Sequence, residues 1–73
     1  MICLTGLIRR AEAIGFIQRG THRLVDRSGN VVAILRGDQV NLFALEGRLA
    51  LVCGIDEGVI EGFRSVLVRR VLA

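Results

Sequence analysis

The feature that most constrains this chain is the short segment Arg27-Ser28-Gly29-Asn30. It lies between a run ending in Leu24-Val25-Asp26 and the β-branched run Val31, Val32, Ile34. A loop of three or four residues with glycine late in it suits a type I turn closed by a left-handed glycine, which is a common hairpin connection. The stretch His22 to Arg36 is therefore predicted to be a β-hairpin, and the remaining segments are read as the strands that complete its sheet.

Residues 2–10 alternate with period two. Ile2, Leu4, Gly6 and Ile8 fall on one face, with Cys3, Thr5, Leu7 and Arg9 on the other, which predicts a first strand. Gly6 inside it predicts a bend or a close backbone approach. Residues 11–20 are read as a connection or strand extension, since Gly15 and Gly20 confine any helix. The second and third strands are expected at 21–26 and 31–36. Asp38 is then a candidate N-cap for one helical turn around 39–45, with Phe43 in the core beneath it. A fourth strand is expected at 48–54, a turn around Asp56-Glu57-Gly58 and Glu61-Gly62, and a fifth strand at 63–72. Five short strands with one helical turn between the third and fourth describe an all-β fold, a small partly open barrel. The expected division is a single domain over residues 1–73.

Size and composition bound the function. At 73 residues, 52% apolar and a mean hydropathy of +0.55, the chain has a large surface for its volume, and some apolar side chains are expected outside the core. A contiguous exposed apolar patch points to an interface, so a homo-oligomer is predicted. The net charge is +3, and all ten basic residues are arginine, the better bidentate partner for phosphate. MICLTGLI lacks a basic leader region and ends in Arg9-Arg10, and no segment has the length of a membrane span. A cytoplasmic location with no membrane association is expected. One histidine and no C-x-x-C give no support for a zinc site, so no metal or other cofactor is expected.

Leu4-Thr5-Gly6-Leu7-Ile8-Arg9, Leu24-Val25-Asp26-Arg27-Ser28-Gly29-Asn30-Val31, and the passage from Asn41-Leu42 through Glu46-Gly47 to Val52-Cys53-Gly54 resemble small bacterial OB-fold domains. The resemblance covers nearly the whole chain. It implies a binding module, commonly for single-stranded nucleic acid or oligosaccharide, read on the face of strands two and three. The chain departs from that pattern in its aromatics. Such domains stack bases on aromatic rings, and only Phe16, Phe43 and Phe63 occur here.

Two residue sets are the candidate sites. Arg19, Arg23, Arg27 and Arg36 lie on or beside the central hairpin, while Arg9 and Arg10 end the first strand. Together they are a candidate surface for the phosphates of single-stranded DNA or RNA. The plainer reading of the same residues is a solvated polar face with Glu12, Asp26 and Asp38 nearby. The second set is apolar. If Leu4, Ile8, Leu24, Ala50, Val52, Val66 and Val68 point inward, then Leu7, Leu49, Leu51 and Leu67 point outward on neighbouring strands and form an oligomer interface. A one-residue slip of strand four would reverse Leu49 and Leu51.

His22 and Asp26 share a strand face about 13 Å apart, too far for a catalytic pair. His22 is therefore read as a surface or edge residue, and no enzymatic activity is expected. Asp56, Glu57 and Glu61 are read as a solvated turn rather than a calcium loop. Cys3 and Cys53 are expected near each other as a free pair at the interface. The functional expectation is a non-enzymatic module binding single-stranded nucleic acid, with a protein-interaction or assembly subunit as the alternative.

Overall fold

The computed structural model of the chain describes residues 1–11, 20–60 and 62–73. Five strands form a closed barrel: β1 (Ile2–Arg10), β2 (His22–Val25), β3 (Val31–Gly37), β4 (Leu49–Ile60) and β5 (Phe63–Leu72), in the order β1-β2-β3-β5-β4. All neighbouring pairs are antiparallel except β3 with β5, which is parallel. This small five-stranded barrel is consistent with an OB-like architecture. No helix among the described residues is long and apolar enough to cross a membrane.

The hairpin forms for the predicted reason. Gly29 has φ +85°, and its N–H donates to the Asp26 carbonyl at 3.0 Å. The Asp26 side chain then accepts at Oδ1 from the Ser28 and Asn30 N–H groups, at 2.9 and 3.0 Å. One carboxylate oxygen thus holds the loop that one glycine permits.

Period-two alternation fills the barrel. Ile8, Leu24, Ala33, Leu35, Leu42, Ala50, Val52, Val66 and Val68 form the buried core, and Leu4 packs against it partly buried. Each fully buried aliphatic side chain of this size contributes about 1.5–3 kcal/mol. The strand-four register is as predicted, because Ala50 and Val52 are buried while Leu49 is exposed. Gly6 fulfils its expected role: a Cβ there would stand 2.7 Å from the Val25 carbonyl oxygen and 2.8 Å from Leu24 Cγ. At Gly54 a Cβ would run into the Leu67 carbonyl, so the bulge that brings β4 onto β5 requires glycine there.

Several local expectations are corrected. The helical turn is a 3-10 turn at Leu42–Leu45, and Asp38 does not cap it. Its carboxylate instead meets Arg69 at 2.9 Å and its N–H donates to Val68, which anchors the loop to β5. Strand β4 does not end at Gly54 but runs to Ile60 through bulges. Asp56-Glu57-Gly58 is therefore strand, with Asp56 and Glu57 held in ion pairs with Arg64 and Arg36, whereas Gly62 lies in a turn at φ +86° where one was expected. Phe43 is 54% exposed and lies outside the core. A 3-10 turn directs only one stripe inward, and Leu42 occupies it.

The cysteines are also corrected. Cys3 and Cys53 are directly opposed on β1 and β4, with Cα atoms 4.1 Å apart, and they form a disulfide rather than a free pair. Opposed residues at a close cross-strand position bring their Cβ atoms within bonding reach. The bond ties the start of the chain to β4 across 50 residues of sequence.

Candidate functional site

The structure divides the six predicted arginines. Arg10 donates through Nε and Nη2 to Glu46, at 2.9 and 3.2 Å, and Arg36 donates in the same two-pronged way to Glu57, at 2.9 and 2.6 Å. Those carboxylates raise the pKa of both guanidiniums, chiefly by hydrogen bonding. Arg10 and Arg36 are thus engaged in ion pairs at the surface. Arg19 lies outside the described residues, as do Glu12, Phe16 and Glu61.

Arg9, Arg23 and Arg27 behave differently. Arg9 and Arg23 are register partners on the outer face of β1 and β2. Arg27 stands on the β2–β3 loop. Among the described residues none of the three is in an ion pair. They line one concavity of about 340 Å³, with Leu7 and Val25 as its apolar floor. The nearby Asp26 carboxylate is engaged by the loop N–H groups. Arg23 Nε is buried and has no hydrogen-bond partner among the described residues. An N–H left in that state costs about 1–3 kcal/mol.

A second cavity of about 490 Å³ continues from the first and shares Leu7, Val25, Asp26 and Arg27 with it. It runs past Thr5 to Leu49 on β4. The two form one groove, cationic at one end and largely aliphatic at the other.

Sequence reasoning missed a third constellation. His22 is fully buried, not a surface residue. Its Nε2–H donates to Glu46 Oε2 at 2.6 Å, and in the neutral ring Nδ1 accepts from the Thr21 hydroxyl at 2.8 Å. Phe43 meets the imidazole edge-to-face at 4.6 Å, and the Arg10 guanidinium carbon lies 5.2 Å from the Phe43 ring centroid. Hydrogen bonds from Arg10 and then His22 hold the Glu46 carboxyl below its usual range. This cluster satisfies both ring nitrogens of the buried imidazole. No local signal reveals it, because Glu46 is 24 residues from His22 in sequence.

The outer leucines are only partly brought together. Leu7 opposes Leu49, and Leu51 opposes both Thr5 and Leu72. Leu67 opposes Ile55, with the Cys53 and Arg70 pair between it and Leu51. Leu49, Ile55 and Leu72 are exposed, whereas Leu7, Leu51 and Leu67 are half-buried.

Comparison with protein-family models, characterised proteins and solved structures finds no match to this chain.

Proposed function

We propose that this barrel is a non-enzymatic binding module that contacts the phosphates of single-stranded DNA or RNA through Arg9, Arg23 and Arg27. Three arginines on one concavity, none of them in an ion pair among the described residues, carry this reading. Phosphodiesters are anionic acceptors, and arginine presents a fork of donors that suits them. The resemblance to OB-fold domains supports a nucleic-acid ligand over an isolated anion. Arg10 and Arg36 hold the scaffold in this reading. The test is binding of a fluorescent oligonucleotide at two salt concentrations. Arg23→Ala with Arg27→Ala should weaken binding at least tenfold at low salt and reduce the salt slope by about two. Equal binding by the double variant would remove the arginines from the site.

A second reading is an assembly subunit that buries its outer wall against a second copy. The exposure of Leu49, Ile55 and Leu72 favours it. The Cys3–Cys53 bond fits an oxidising compartment better than the cytoplasm, which also favours a structural role. Particle mass in solution, measured on the binding sample, distinguishes a defined oligomer from a monomeric binder.

A further inference from the structure

The aliphatic end of the groove has no role in a reading based on phosphates alone. It is continuous with the arginine concavity, and the shared residues Leu7 and Val25 form the floor of both. Leu7, Val25 and Leu49 lie side by side across β2, β1 and β4, since Leu7 is the register partner of both Val25 and Leu49. Leu7 precedes Arg9 by two residues, about 7 Å along an extended strand. An occupant whose charge sits on Arg9 and Arg23 would therefore place its next uncharged group on these aliphatic side chains.

We infer that this recess holds a nucleobase of the same strand whose phosphate engages the arginines, with Leu7, Val25 and Leu49 in contact with the base. This rests on the nucleic-acid reading above and deepens it. A base has an apolar face that packs on aliphatic as well as aromatic side chains, so the recess supplies what the scarcity of aromatic residues withholds. It lies beside the strand-two and strand-three face to which the OB resemblance points, and it draws on β1 and β4 instead. The inference assigns Leu7 and Leu49 to the ligand groove, leaving Leu51, Ile55 and Leu72 on the outer wall.

The experiment compares two fluorescent probes of equal length and charge, a mixed-sequence oligodeoxynucleotide and a phosphodiester chain lacking bases. Each is titrated against the full chain and against Leu49→Ser. Leu49 is 66% exposed, so the substitution leaves the core intact. The expected result is that the base-free chain binds about tenfold more weakly than the oligonucleotide, and that Leu49→Ser lowers only the oligonucleotide's affinity, to about the base-free level. Equal binding of both probes would overturn the base recess and leave the phosphate reading standing. Failure of both to bind would overturn the phosphate reading itself, and the recess with it. A drop in particle mass for Leu49→Ser without ligand would return Leu49 to the interface and overturn its assignment here.

Discussion

The barrel uses arginine in two ways, and the difference lies in what surrounds each side chain. Arg10, Arg36, Arg64 and Arg69 each meet a carboxylate, on Glu46, Glu57, Asp56 and Asp38. Those carboxylates follow β3 or lie on β4. Together with the Cys3–Cys53 bond they make a clamped region that joins β1, β3, β4 and β5. On the β1–β2 face Arg9, Arg23 and Arg27 have no such partner among the described residues, and the one nearby carboxylate, Asp26, is engaged with its loop. The charge of the first four arginines is spent internally, and that of Arg9, Arg23 and Arg27 is not. The comparison shows that a residue's function follows from its partners and cannot be read from its type.

The comparison implies that changes to the clamped region act on stability and spare the groove, while changes to the groove act on binding and spare stability. The largest effect is expected from Cys3→Ser with Cys53→Ser. Releasing a loop of 50 residues lowers stability by about 4 kcal/mol on a chain-entropy argument. Urea denaturation would measure it, and oligonucleotide affinity of the folded fraction should stay unchanged. Lost affinity alongside retained stability would break the division.

Next comes His22→Ala, which removes a fully buried ring and leaves Glu46 short of one donor. A loss of about 3 kcal/mol is expected, read as a lower urea midpoint. A near-neutral result would show that the surrounding structure collapses around the gap.

The smallest effect is the acid response of Glu46. Its carboxyl is held below the usual range, first by Arg10 and then by His22. A carboxyl with a depressed folded pKa stabilises the fold above its unfolded value of about 4.3 and loses that contribution as pH falls through the folded value. Glu46→Gln should therefore be less stable than the parent at neutral pH. The two should converge once the pH lies below the depressed folded value of the Glu46 carboxyl. A gap that persists in acid would show that Glu46 acts through packing and not through charge.

Local chemistry made much of the fold legible. All five strands were legible, β4 only as the shorter run 48–54, the Asp26–Gly29 loop announced its hairpin, and Gly6 marked a close approach. The inward set from Leu4 to Val68 followed from period-two alternation. The candidate site was legible only in part. Arg9, Arg23 and Arg27 were picked out with three other arginines, and nothing in the sequence separated the two groups, because pairing partners such as Glu46 and Glu57 lie 36 and 21 residues away.

What the sequence determined by itself are features set by neighbours along the chain: strand period, turn geometry and the excess of apolar residues over core. What only the tertiary structure decided are features set by residues distant in sequence and opposed in register. Among these are the burial of His22 on Glu46, the exposure of Phe43, the meeting of Cys3 with Cys53, and the groove that joins Arg9 and Arg23 to Leu49. Backbone propensity acts over a few residues, whereas ion pairs, disulfides and concave surfaces depend on where closure of the barrel brings separate strands together.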